Sequence, residues 1–124
     1  MKTFKHITPE SIEEATAILK EAGSKARIIA GGTDLLGEMK DAILPGSGYP
    51  EVVVNIKSIP GLDYIQEDAH HLRIGALTRL EDLAAHESVR RDYLALAEAA
   101  RKTASPHIRE MGTVAGNICQ NNRC

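Results

Sequence analysis

The sequence predicts an α+β fold, with an α/β layer of parallel strands followed by a second, antiparallel layer. Three observations carry that expectation. The first is the stretch Ile28-Ile29-Ala30-Gly31-Gly32-Thr33-Asp34-Leu35-Leu36. There a β-branched pair runs into two glycines, then a hydroxyl, a carboxyl and the amphipathic run Leu35-Leu36-Gly37-Glu38-Met39-Lys40. That is strand, tight turn and helix start. The second is the alternation of helix and strand on either side of this turn, which favours parallel pairing. The third is a change of pattern after Lys57, where short, partly alternating strands are joined by a polar connection of hairpin length. Residues 1–57 read as one subdomain and 58–124 as the beginning of another.

Each element has its own signal. Thr8-Pro9 opens the first helix, threonine as cap and proline at the first helical position. Ala15, Ile18, Leu19 and Ala22 form one apolar stripe at i, i+3, i+4, i+7, and Gly23 is the C-terminal stop. Residues 25–30 are a short strand, and Thr33 or Asp34 stands where the next helix needs an N-cap. Residues 44–50 are loop by their proline and glycine density. Residues 51–56 are a strand beside 25–30, and its Val52-Val53-Val54 reads as buried on both faces. Leu62-Asp63-Tyr64-Ile65-Gln66 and Leu72-Arg73-Ile74-Gly75-Ala76 form an antiparallel hairpin across Glu67-Asp68-Ala69-His70-His71. Thr78-Arg79-Leu80-Glu81 fits a capping box for a helix running to Ala85. Ser88 starts another, carrying Leu94, Ala97, Ala100 and Arg101 and ending before Pro106. In the last stretch Gly112 and Gly116 flank a β-prone Thr113-Val114, which reads as a strand approached closely by something else.

Composition bounds the function. The 124 residues suffice for a real core. With 43% hydrophobic and 26% charged residues the chain is ordinary for a soluble globular protein. A net charge of −2, one Phe, three Tyr and no Trp argue against nucleic acid as a partner. No apolar run approaches the ~18 residues of a membrane span. No signal-peptide core follows Met1-Lys2-Thr3-Phe4-Lys5-His6. A cytoplasmic protein without a membrane partner is expected. Two cysteines in the last six residues make no disulfide framework.

The glycine turn admits two readings. It is either a tight βα turn or a place where phosphate rests on backbone N–H groups at a helix start. A second glycine-edged stretch near the other end favours an elongated ligand held by both. His70 and His71 read as solvated turn residues, because adjacent strand-end side chains diverge and zinc needs more ligands. His107 has no assigned role. Arg109 fits either a contact to phosphate or an acidic partner, or an exposed structural position.

Three stretches occur in this order and spacing in one family: Ala30-Gly31-Gly32-Thr33-Asp34-Leu35-Leu36, Ile74-Gly75-Ala76-Leu77-Thr78, and Ile108-Arg109 followed by Thr113-Val114-Ala115-Gly116-Asn117. Over almost its whole length the chain resembles the FAD-binding subunit or domain of the molybdenum hydroxylases: xanthine dehydrogenase, aldehyde oxidoreductase, carbon monoxide dehydrogenase and 4-hydroxybenzoyl-CoA reductase. The resemblance implies the FAD-binding fold of the vanillyl-alcohol-oxidase (PCMH) type, with a three-stranded parallel layer and a larger antiparallel one. By motif position, the backbone from Ile29 and Ala30 through Gly31, Gly32, Thr33 and Asp34 to Leu35 would hold the pyrophosphate. A side chain at Gly32 would then occupy space the pyrophosphate needs. Thr113, Gly116 and Asn117 would form a second loop on the flavin side, with Ala76 and Thr78 nearby. Ala115 stands where the family usually has glycine, and Glu110 where it often has asparagine. Glu110 would bring negative charge toward an anionic cofactor and is left out of the site. Asp34 would repel a pyrophosphate if it faced one, so it caps the helix or points away.

The implied chemistry belongs to the cofactor. Flavin would pass electrons between the iron–sulfur clusters of a partner subunit and an acceptor such as NAD, in a complex with molybdopterin-binding and [2Fe–2S] subunits. The sequence carries no catalytic acid–base pair, nucleophile or metal triad of its own. Cys119 and Cys124, spaced C-x4-C, resemble the place where some members begin a loop carrying a [4Fe–4S] cluster. Cys124 is the better ligand candidate, and a cubane generally uses four cysteines. Cys119, after a stretch that reads as a buried strand, also fits a small hydrophobe.

Family subunits are considerably longer, so the chain reads as a fragment from truncation, proteolysis or a broken reading frame. Alone it would be inactive, hold flavin weakly and self-associate through an uncovered apolar face. Two alternatives are a phosphate- or nucleotide-binding module without flavin, and an inert piece that folds but binds nothing.

Overall fold

The computed structural model describes residues 1–41, 43 and 46–122. Contacts divide it into two units, Met1–Pro60 and Gly61–Asn122.

The first unit is a three-stranded parallel sheet, β1 (Lys5–Ile7), β2 (Ala26–Ile29) and β3 (Val52–Asn55), in the order β1-β3-β2. Val52 lies opposite Lys5 on one side and Ala26 on the other. The central position of β3 explains why successive residues Val53 and Val54, which point to opposite faces, are both buried. β1 has no such signal. Lys-His-Ile is paired along one side only and is held by register rather than by an apolar run.

Helix α1 spans Ile12–Ala22 and begins later than Thr8-Pro9 would place it. Ser11 is the N-cap: its Oγ accepts from the Glu14 amide at 3.1 Å, while the Glu14 carboxylate accepts from the Glu10 amide at 2.8 Å. This serine–glutamate pair satisfies two amides at the helix start, more than Thr8 could serve alone. Pro9 is instead fully buried ahead of the helix. Ala15 is buried on the stripe that turns inward, and α1 packs on β2 and β3. The Gly23 amide closes the helix on Leu19 O. Helix α2 (Leu35–Lys40) follows the glycine turn. The unit's core is Ile29, Met39 and Val53, with Phe4, Leu35 and Tyr49 packed against it. Of the expected loop at 44–50, Leu44 and Pro45 lie outside the described residues, and Gly46–Gly48 is a short 3-10 turn.

The second unit opens with an antiparallel pair, β4 (Ile65–Glu67) and β5 (Leu72–Ile74), with Ile65 opposite Ile74. Asp68 builds the turn between them. Its carboxylate accepts from the amides of His70 and His71, both at 2.9 Å, and pairs with Arg73 at 2.6 Å. The His70 amide bond above all holds this carboxyl below its ordinary range. His70 and His71 are exposed turn residues.

Five helices follow: α3 (Leu80–Ala85), α4 (Glu87–Asp92), α5 (Leu94–Lys102), α6 (Pro106–Met111) and α7 (Val114–Ile118). Three details depart from the sequence reading. Thr78 does not cap α3. That helix starts at Leu80 behind Arg79, and the Thr78 hydroxyl donates to Tyr64 O at 2.9 Å and accepts from Tyr64 N at 3.3 Å. The single helix expected from Ser88 is two helices, broken at Tyr93 (φ −130°, ψ 48°), so Leu94 is exposed while Ala97 and Ala100 are buried. Thr113-Val114 forms no strand. Thr113 makes one isolated bridge with Arg79, then caps α7 by accepting from the Gly116 amide at 3.2 Å. Its hydroxyl's use as an N-cap overrides β-propensity at that position.

The core here is Leu83, Ala84, Val89, Ala97 and Ala100, closed by Ile65, Leu72, Ile74, Tyr93 and Val114. Arg109 is structural and largely buried, its side chain 11% exposed. Its Nε donates to Glu81 at 2.7 Å and its Nη1 to Thr103 O at 3.2 Å, tying α6 to α3. Arg109→Ala leaves both acceptors without that partner and should cost about 1.5–3 kcal/mol. A urea midpoint unchanged from wild type would contradict this role.

Candidate functional site

The first group of candidate residues lies at the carboxyl end of β2, where ligands bind in parallel α/β sheets. Ile29 and Leu35 bracket the turn with side chains packed in the core, so only their main chain can meet a ligand. Between them Ala30, Gly31, Gly32 and Asp34 are half-buried and Thr33 is exposed. The Gly32 carbonyl accepts from the Leu36 amide at 3.2 Å, which starts the helix. Asp34 stands at the N-cap position without a side-chain cap bond.

Gly32 has φ +76°, a conformation L side chains rarely adopt. A Cβ there would sit 3.0 Å from Leu36 Cδ1 and 3.3 Å from Ile29 Cδ1. The space a side chain would fill is therefore bounded by the protein's own side chains, the exposed Leu36 and the core residue Ile29. The demand for glycine comes from the backbone conformation and this contact. α2 has only six residues, so its dipole supplies less field than a long helix would.

Sequence reasoning missed one residue at this turn. Lys57 Nζ donates to Ala30 O at 3.0 Å. Two further bonds fix the segment before it: Ile56 N donates to Ile29 O at 3.1 Å and Lys57 N to Asn55 Oδ1 at 3.2 Å. Lys57 is exposed overall, and desolvation of its ammonium beside the turn lowers its pKa from the ordinary value. The available signal was a cation two positions past the strand that pairs with the glycine-turn strand.

The second group lies in the second unit, and the fold brings its members together. Val114 N donates to Thr78 O at 2.8 Å, Ala115 N to Ala76 O at 3.1 Å, and Leu80 N to Gly112 O at 2.9 Å. The segment 76–80 therefore runs against 112–115. Thr78 and Thr113 are buried, at 1% and 5% exposure, with hydroxyls engaged on Tyr64 and Gly116. They shape the loop and offer little of their side chains. Gly116 is exposed and Asn117 half-buried, its amide bonded to Thr113 O at 2.8 Å. Glu110 pairs with Arg79 at 3.8 Å.

Cys119 is the exposed C-cap of α7 and follows no strand, which removes the reading of it as a buried hydrophobe. Cys124 lies outside the described residues. Among the described residues no three His, Cys, Asp or Glu side chains gather as a metal site.

A glycine turn that exposes main chain at the end of a parallel strand, with an ammonium on its carbonyl, suits a ligand with an anionic middle. The architecture, a parallel sheet with helices followed by an antiparallel pair and five helices, defines an α+β class. The family model described as "FAD binding domain in molybdopterin dehydrogenase" matches residues 2–124, and the chain belongs to that family. It is 43% identical to the aldehyde oxidoreductase FAD-binding subunit PaoB of Escherichia coli K12, covering 100% of this chain and 37% of that one. It is 37% identical to the nicotinate dehydrogenase FAD-subunit of Eubacterium barkeri, over 95% of this chain and 39% of that one. Among solved structures, a carbon monoxide dehydrogenase from Hydrogenophaga pseudoflava superposes with TM-score 0.87 at 38% identity, covering 94% of this chain and 39% of that one. Quinoline 2-oxidoreductase from Pseudomonas putida 86 gives 0.83 at 27%, covering 94% of this chain and 40% of that one. The chain spans about two fifths of the length of these relatives.

Proposed function

We propose that this chain is the FAD-binding part of an oxidoreductase subunit of the molybdenum-hydroxylase type. In this reading it passes electrons between iron–sulfur clusters of a partner subunit and an acceptor such as NAD. The observation that carries the reading is the glycine turn, with Gly32 at φ +76° and the main chain of Ala30 to Asp34 at the end of β2. In this reading that main chain supports the pyrophosphate, and the second unit's Ala76, Gly116 and Asn117, in segments shaped by Thr78 and Thr113, are the residues assigned to the flavin. When bound, FAD supplies one- and two-electron redox chemistry. The protein's own part is to hold and orient it.

The partners in this reading are a molybdopterin-binding subunit and a [2Fe–2S] subunit, in the cytoplasm. No helix among the described residues is long and apolar enough to cross a membrane. Cys119 is accessible as one ligand of a [4Fe–4S] cluster, which needs further cysteines. Exposed Ile108, Met111 and Ile118 favour self-association of the isolated chain.

The test is to purify the full-length protein and titrate its flavin-free form with FAD and with ADP. Tight FAD binding, a flavin absorption spectrum and bleaching by a reductant are expected. ADP binding without FAD binding would favour a nucleotide module, and binding of neither would favour an inert piece.

A further inference from the structure

We propose that Lys57 binds the diphosphate of the flavin, its ammonium held against the glycine turn by the Ala30 carbonyl. The proposal rests on reading that turn as the pyrophosphate site, and it names the cation that the turn lacks. Residues 28–36 contain no Lys or Arg, and Asp34 is their one ionisable group. A diphosphate carries negative charge on both phosphates, and neutral N–H groups on a six-residue helix answer only part of it.

Lys57 is placed to supply the rest. It follows β3, whose Asn55 lies opposite Ile29 in the parallel register, so the carboxyl ends of both strands meet there. The Ile56 N to Ile29 O bond and the Lys57 N to Asn55 Oδ1 bond fix its backbone. The Nζ bond to Ala30 O at 3.0 Å then brings the ammonium to the first residue of the turn. An ammonium has three N–H donors, and one carbonyl occupies one of them. Charge-assisted bonds from such a group to phosphate oxygens are among the stronger ones a site can make. Lys57 is an exposed residue that stays open to a ligand, and an anion beside its ammonium favours the charged form.

The alternative is that Lys57 only pins the loop. Lys57→Gln separates the two roles, because the amide can still donate to Ala30 O but carries no charge. The flavin-free full-length protein is titrated with FAD and with riboflavin, which lacks phosphate, across a range of salt concentrations. Lys57→Gln should bind FAD about tenfold more weakly at low salt. It should also show a flatter salt dependence, with riboflavin affinity unchanged. Lys57→Arg, which keeps the charge, should stay within about threefold of wild type. Thermal melts of the flavin-free variants check folding. If Lys57→Gln does not fold, Lys57→Met removes both the bond to Ala30 O and the charge, and riboflavin separates the roles: a loss for FAD alone supports the phosphate contact, and equal losses mean loop disturbance. Wild-type FAD affinity and salt dependence in Lys57→Gln would overturn the proposal. So would equal losses for FAD and riboflavin, which would mean that Lys57 only holds the loop. A wild-type protein that binds no FAD at all would overturn the underlying reading of the turn as well.

Discussion

Gly75→Ala is expected to destabilise the second unit by about 3 kcal/mol or more, the range of a core or backbone clash that cannot relax. A Cβ at position 75 would stand 2.8 Å from both the Leu62 carbonyl carbon and Tyr64 N, and closer still to Leu62 O. All three are backbone atoms. No rotamer can move them aside, and the local bonds resist a shift of the chain. Gly75 N donates to Tyr64 O and Leu77 N to Leu62 O, both at 2.8 Å, so the two segments are stitched together on either side of the clash. Relief means breaking those bonds or displacing 75–78. Displacement also loosens Thr78 from Tyr64 and Ala76 from Ala115, so FAD affinity should fall with stability. The control is Gly37→Ala, in α2, where an added Cβ meets nothing within 4 Å. That change should stabilise by roughly 0.5–1 kcal/mol through helix propensity. Urea denaturation of both variants is the measurement. Gly75→Ala within about 0.5 kcal/mol of wild type would show that the hairpin can slide where its hydrogen bonds indicate it cannot.

Much of the fold was legible because its signals are local. Apolar periodicity marks α1, the run of valines marks β3, and two glycines between a strand and a helix mark the turn. Two kinds of feature were not legible. One is structure that depends on a distant partner. β1 exists because β3 offers it an edge, and Arg109 is structural because Glu81, 28 positions away, receives it. The other is a polar side chain with more than one possible use. Thr78 looked like an N-cap and is spent on the hairpin. Thr113 looked like a strand residue and is an N-cap. Ser11 supplanted Thr8 because Glu14 lies at the right spacing to complete the cap. Hydroxyls pair with local or long-range backbone groups at similar free energy, so sequence spacing alone does not choose between them.

The same division runs through the site. The turn of Ala30 to Asp34 is a local object, and its motif located it. Lys57 reaches the turn only through the pairing of β2 with β3, which no spacing within the motif encodes. Glu110, a poor neighbour for an anionic cofactor, pairs with Arg79.

Gly32→Val should abolish or greatly weaken FAD binding in the full-length protein. Two costs coincide at this residue. A β-branched side chain at φ +76° is strained by about 1–3 kcal/mol. Its Cβ would also press on Leu36 Cδ1 and Ile29 Cδ1, at 3.0 and 3.3 Å, and the two extra methyls add to the crowding. Leu36 is an exposed, flexible side chain and can yield. Ile29 is packed with Met39 and Val53 and cannot yield without disturbing the core. The cheaper escape is for the turn to change its backbone conformation, moving the main chain of Ala30 to Asp34 that is assigned to the pyrophosphate. Gly32→Ala adds the strain with less crowding and should fall between wild type and valine. Flavin content and FAD affinity are read alongside the thermal midpoint of the flavin-free protein, so that lost binding is not confused with lost folding. A folded Gly32→Val protein with unchanged flavin content would count against the pyrophosphate assignment, since a ligand resting on that main chain could not remain indifferent to its rearrangement.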